Sequence, residues 1–331
     1  MYWQVAAGSE GRDYSGDFLR FGLAFVGDDK IELTLSTVEV GDRIILKGGR
    51  RQIRAVGTVV QRGGSHFGKD DKPWLRDYDG WDLGAYCFVD WHEPPSPITV
   101  QGLTRATIQR VWDPSLIQEA ERVIANYPTR MHLDAEPNPT SEVKDESIIG
   151  HLIESGFKIL LAEELVQAFR RIRRLANYYY NRCDWASVGE HETRTFLIVP
   201  LLQALGWMEQ QMKVELSVEG GRVDLALFKR PYTGWADHNA ECTAIIESKG
   251  FSQGLSYAPD QVKKYAKHFP NCEVLAVSNG YCYKTYQRRE DGSFALSPSA
   301  YLNILTPRDR YPLDPSVPGC LPALDMLLKG L

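Results

Sequence analysis

The sequence predicts an α+β, multidomain fold: a small N-terminal β-barrel over 1–103, a helical connector over 104–186, an α/β core with a mixed sheet over 187–310, and a C-terminal tail over 311–331. Three observations predict it. Short β-prone runs separated by glycine turns fill the first third. Apolar residues recur at helical spacing through the middle. Beyond residue 187, apolar strand-like runs carry acidic residues and are joined by helix-like segments.

Taken in order, Trp3-Gln4-Val5 alternates and predicts a first strand. The segments 31–35, 42–46, 55–60 and 86–91 predict four more, with turns at Gly48-Gly49 and Gly63-Gly64. Trp3 and Trp91 are expected in the core. The stretch 67–81 is polar yet aromatic, which predicts an exposed loop. Pro114 through Ile124 predicts an amphipathic helix, and 133–145, with Pro137 and Pro139, a linker. Leu161, Leu165, Phe169, Ile172, Ala176 and Tyr179 predict one apolar helix stripe, with Arg170, Arg171, Arg173 and Arg174 on the opposite side. Val274 to Gly280 predicts a strand ending in a turn. After Arg310, four prolines predict irregular chain and then a short terminal helix.

The chemistry concentrates between Gly221 and Lys249. Gly221-Arg222-Val223-Asp224-Leu225-Ala226-Leu227 and Ile245-Ile246-Glu247-Ser248-Lys249 are each apolar, β-prone runs bearing charge. Burying Asp224, Glu247 and Lys249 costs several kcal/mol unless they pair or bind a metal. Glu247 and Lys249 are two apart, so on a strand they share a face. Two carboxylates and an ammonium at one place suit a Mg²⁺ and a water aimed at a phosphodiester. Gln261 and Tyr265 are four apart on a predicted helix and share its face. Upstream stand Gly189-Glu190-His191-Glu192-Thr193-Arg194, then Phe196 to Leu202, then Gly206-Trp207.

In this order the elements resemble the PD-(D/E)xK nuclease superfamily, and within it the nuclease domain of type I restriction-enzyme motor (R) subunits. The resemblance covers about a third of the chain, 187–290. It implies that Asp224 and Glu247 are metal ligands, with the Ser248 carbonyl and Glu190 or Glu192 completing the shell; Glu190 stands where the family's first acid stands. It implies that Lys249 orients or deprotonates the attacking water, that Gln261 positions water or phosphate, and that Tyr265 supports the site or the DNA backbone. Mg²⁺ is the implied cofactor, with Mn²⁺ able to substitute. Two departures stand out. Residues 229–239 read as an insertion before the catalytic strand, in which Asp237-His238-Asn239 is taken as loop. No Gly-rich phosphate loop ending in Gly-Lys-Ser/Thr is present, so no nucleotide cofactor is expected.

Val38-Glu39-Val40-Gly41-Asp42-Arg43-Ile44, with Val56-Gly57-Thr58-Val59, resembles the PUA-like superfamily and its EVE branch. That resemblance implies a domain that reads a modified base flipped out of DNA, or RNA. Trp74, Tyr78 and Trp81 are the expected pocket walls, because a stacking ring must be reachable from solvent. Two basic runs are expected to touch the DNA backbone: Lys47, Arg50 and Arg51 in one, Arg170, Arg171, Arg173 and Arg174 in the other.

A net charge of −5 does not advertise a nucleic-acid binder, but local basic patches suffice for phosphates. The six cysteines are scattered without a Cys-x-x-Cys pair, which argues for reduced thiols in a cytoplasm and against structural zinc. No apolar run approaches the ~20 residues of a membrane span, and Met1-Tyr2-Trp3-Gln4 does not open a signal peptide. The expectation is a cytoplasmic, homodimeric, Mg²⁺-dependent DNA endonuclease of a restriction or defence system, acting on DNA that carries modified bases. Two alternatives stand beside it: an inactive nucleic-acid-binding protein, and a nuclease acting on RNA or branched repair intermediates.

Overall fold

The computed structural model describes residues 1–9, 11–27, 29–133, 136–234 and 238–328. Trp235, Ala236 and Asp237 of the expected insertion lie outside the described residues. The chain is α+β with two mixed sheets, and it divides into two compact units, 1–137 and 138–331.

The N-terminal unit holds β1 (Tyr2–Ala6), α1 (Ser15–Phe21), β2 (Leu23–Val26), α2 (Asp29–Leu35), β3 (Arg43–Gly48), β4 (Gln52–Val59), β5 (Phe67–Lys69), β6 (Ala85–His92), β7 (Ile98–Thr99), β8 (Ile108–Arg110) and α3 (Pro114–Asn126). The main strand order is β2-β6-β4-β3-β1-β8, with β5 on β6 and β7 on β4. Among the described residues of this unit, β1 and β3 run parallel and the remaining strand pairs are antiparallel. The sheet curls as a half-barrel, where the sequence suggested a small closed one.

Trp3 and Trp91 are core, at 2% and 1% exposure. The segment 31–35 is corrected from strand to helix. Ile31, Leu33 and Leu35 alternate as a strand would, yet Leu33 is 71% exposed while Leu35 is buried. Residues 31 and 35 are also four apart, the spacing of one helix face.

Helix α3 begins where its sequence dictates. Asp113 caps it by accepting from the amides of Ser115 and Leu116, and Pro114 takes the first helical position. Its buried Leu116, Ala120 and Val123 close a core with Ile45, Ile53 and Val56 of the sheet. That packing overturns the expected boundary at 103: α3 belongs to the N-terminal unit and is not part of a free connector.

The C-terminal unit begins with α4 (Asp145–Glu154) and α5 (Ile159–Arg182). Helix α5 buries Ala162, Leu165, Val166, Phe169, Ile172, Ala176 and Tyr179, whereas Leu161 is 45% exposed and falls outside the expected stripe. After it come α6 (Glu190–Thr193), a widened π-type turn (Arg194–Ile198) and α7 (Val199–Ala204). The sheet follows with β9 (Met212–Val218), β10 (Gly221–Phe228), β11 (Cys242–Ser248), α8 (Ala258–Tyr265), β12 (Val274–Ser278), β13 (Cys282–Gln287), β14 (Ala300–Asn303) and finally α9 (Cys320–Leu327). Its order is β14-β13-β12-β11-β10-β9. Strands β11 and β12 are parallel and joined through α8, while the other pairs are antiparallel. No helix of the described residues is long and apolar enough to cross a membrane.

Candidate active site

Register brings the acids together. Leu225 pairs with Ile246 across β10 and β11, which sets Asp224 beside Glu247 at the end of the ladder. Beyond that end the backbone closes onto the acids: the Ser248 amide donates to Asp224 Oδ2 at 2.7 Å, and the Ser248 hydroxyl reaches Asp224 Oδ2 at 3.0 Å and Glu190 Oε1 at 3.2 Å. The Lys249 amide extends the β11–β12 ladder by donating to the Ser278 carbonyl at 2.8 Å. This anchors the side chain, whose Nζ lies 2.6 Å from Glu247 Oε1 and 3.4 Å from Gln261 Oε1.

Glu247 is 1% exposed. Burial pushes its carboxyl up to about 7; the neighbouring charges of Asp224 and Glu190 push the same way, and the Lys249 ammonium opposes them. An acid crowded in this manner is one at which added positive charge is favourable.

The sequence left open which glutamate of the short helix faces the acids. Glu190 does so through Ser248, whereas Glu192 accepts from the Tyr179 hydroxyl at 2.6 Å and turns to α5. Glu190 and Glu192 both lie in the helix's first turn, where the macrodipole favours negative charge. Gly280, at φ +93°, is required where the β12–β13 turn meets this helix: a Cβ there would sit 2.6 Å from Leu197 Cδ1. Gln261 joins the cluster. Tyr265 does not reach it: its ring lies against Gly221, where a Cβ would come within 2.6 Å of the hydroxyl. Tyr265 therefore fixes the start of β10.

One participant escaped the sequence reading. Arg194, 3% exposed, places its guanidinium 3.1 Å from the Asp224 carbonyl, 3.6 Å from Asp224 Oδ1, 3.4 Å from Glu215 Oε1 and 3.8 Å from Glu190 Oε1. It thus underpins the acids from inside the unit. Its spacing of four from Glu190 on a helix was the available signal; Glu215 was invisible, because only the sheet register sets it opposite Asp224. Glu215 also takes φ +52°, unusual for a residue with a side chain.

Among the described residues, no three His, Cys, Asp or Glu side chains form a ready-made metal cluster. The donors are two carboxylates on neighbouring strands, with Glu190 linked through Ser248. That set fits Mg²⁺, a hard cation that takes one or two carboxylates and retains waters.

The other expected residues fare differently. Trp74 and Tyr78 are each 4% exposed, and with Phe21, Phe25 and Tyr14 they form an aromatic cluster, Tyr14 and Tyr78 edge-on at 4.5 Å. The Tyr78 hydroxyl is bonded to Asp17. Trp81, half-buried, is covered by the Arg12 guanidinium at 3.8 Å. The expected solvent-reachable pocket is therefore corrected: two of the three rings expected to wall it, Trp74 and Tyr78, are core.

Lys47 is likewise buried, donating to the Thr104 and Ala106 carbonyls at 2.6 Å each, and burial lowers its pKa to about 8. It is not a surface cation. Arg50 and Arg51 are exposed at the β3–β4 turn. Arg170 and Arg173 are tied to Asp145 at 3.1 and 2.8 Å, while Arg171 and Arg174 are exposed.

No protein-family model matches the chain. No curated protein matches it either. Among solved structures, it is similar to a fragment described as an HsdR subunit of a type I restriction enzyme from Vibrio vulnificus YJ016, at 17% identity and a TM-score of 0.24. That likeness covers 34% of this chain and 24% of the other.

Proposed function

We propose that the C-terminal unit is a Mg²⁺-dependent nuclease that hydrolyses phosphodiester bonds in DNA. The observation that carries this reading is the Lys249 ammonium held 2.6 Å from the buried Glu247 carboxylate, beside Asp224 on the next strand. Asp224, Glu247 and Glu190 would hold the ion, which when bound supplies Lewis-acid polarisation of the scissile phosphate and a water of lowered pKa. Ser248 fixes the Asp224 carboxylate with two hydrogen bonds. Lys249 orients the attacking water and offsets the charge that grows on the phosphate. Gln261 holds Lys249 in place from α8, and Arg194 keeps Asp224 and Glu190 anchored from beneath. In the N-terminal unit, Arg50 and Arg51 are the cations offered to DNA phosphates.

The test incubates the purified chain and Mg²⁺ with plasmid DNA, unmodified, methylated or glucosylated, and in parallel with duplex RNA and a branched DNA junction. Cleavage of plasmid DNA is expected, and a preference among the three plasmids would report base reading by the N-terminal unit. Cleavage confined to RNA or to the junction reassigns the substrate. No cleavage of any polymer overturns the nuclease reading.

A further inference from the structure

Helix α5 turns a second, solvent-facing stripe away from its buried one. Leu160, Glu164, Gln167, Arg171, Arg174 and Tyr178 are all exposed, and they recur at alternating intervals of four and three, the spacing of a coiled-coil seam. The stripe spans about 27 Å of helix. Its order has a symmetry: Leu160 and Tyr178 lie nine residues either side of position 169, Glu164 and Arg174 five, Gln167 and Arg171 two. Run antiparallel against itself about that centre, the seam sets an apolar residue on an apolar one at each end, an acid on a base next inward, and a polar pair in the middle.

We infer that α5 is a self-association surface whose partner is the antiparallel α5 of a second copy of this chain. In such an isologous contact every pair occurs twice, so the Glu164–Arg174 bridge forms on both sides of the axis. Within one chain, Glu164, Arg171 and Arg174 have no ion-pair or hydrogen-bond partner among the described residues, whereas Arg170 and Arg173, which lie off the seam, are already tied to Asp145. Leu160 is 65% exposed and Tyr178 54%, with Ile159 and Leu161 flanking the apolar end. Apolar residues gathered at a helix end in this way are characteristic of contact surfaces. The same face disfavours DNA, because Glu163 and Glu164 would meet the phosphates beside the arginines. The inference is independent of the chemistry at Glu247 and Lys249.

The test measures the mass of the full chain by sedimentation at low salt. A species of twice the chain mass is expected. Glu164→Arg alone and Arg174→Glu alone should each weaken the dimer by about tenfold or more, since both set like charges opposite each other. An equimolar mixture of the two variants should restore it, because the hetero-pair regains both bridges. The variant carrying both Leu160→Cys and Tyr178→Cys should cross-link between chains with oxidised glutathione, and neither single variant should. A native chain that stays monomeric, or a mixture that fails to recover, overturns the inference. So does a loss of DNA affinity in both charge variants with no change in mass, which would assign the face to DNA.

Discussion

The Lys249 ammonium pairs with the buried Glu247 carboxylate, and in the proposed nuclease the two must stay close to act on a water. Either Glu247→Gln or Lys249→Ala is expected to lower cleavage about a hundredfold or more, with the chain still folding to its native secondary structure. Arg194 behaves in the opposite way. Replacing it with Leu removes the buried cation beside Asp224 and Glu190, while Glu215 keeps Arg222, and urea denaturation should show a loss of about 3 kcal/mol. Glu247 and Lys249, two apart along a strand, come together as their spacing suggests, and Gln261 joins them from α8; Tyr265, four on from Gln261, lies instead against Gly221. Arg194 and Glu215 were not legible in the sequence, since the register that gathers them is a property of the whole sheet. Trp74 and Tyr78 were misread because the loop around them is polar. Their rings leave that loop for the cluster built by Phe21 and Phe25, whose places in the core no local pattern reveals.

Asp145 at the start of α4 binds α5 through Arg173 and Arg170. Burial works to raise its pKa, but the two guanidiniums outweigh this and hold it below the usual carboxylate range. A depressed acid contributes stability above its unfolded pKa, near 4, and loses it as pH falls through the lower folded value. The native chain should therefore exceed Asp145→Asn in urea midpoint at neutral pH, and the two curves should converge below about pH 4. A constant gap down to low pH would remove the charge from that account. On the same face of α5, where the Arg173 guanidinium lies over its ring at 5.6 Å, Phe169→Ala should cost about 3–5 kcal/mol by opening a cavity in place of a fully buried ring. Helices α3 and α5 were legible from their apolar period. Helix α2 was not, because a five-residue stretch with apolar residues at both ends satisfies either period.

The division at residue 137 follows from what each helix packs against: α3 covers the N-terminal sheet at β4, whereas α5 packs on α4 and α7. The sequence drew a separate connector because α3 and α5 are adjacent in chain order and equally amphipathic, and amphipathicity does not say which apolar surface a helix meets. The proposed metal requirement is read on the whole molecule's activity: Ca²⁺ should occupy the carboxylates yet support little cleavage, because its larger, looser shell does not align the water. The most direct test compares native chain and Lys249→Ala on supercoiled plasmid, each with Mg²⁺ and with EDTA. Native chain should nick or linearise the plasmid in Mg²⁺ and leave it supercoiled in EDTA, and Lys249→Ala should leave it supercoiled in both. Cleavage by Lys249→Ala at the native rate, or full native cleavage in EDTA, would contradict the account.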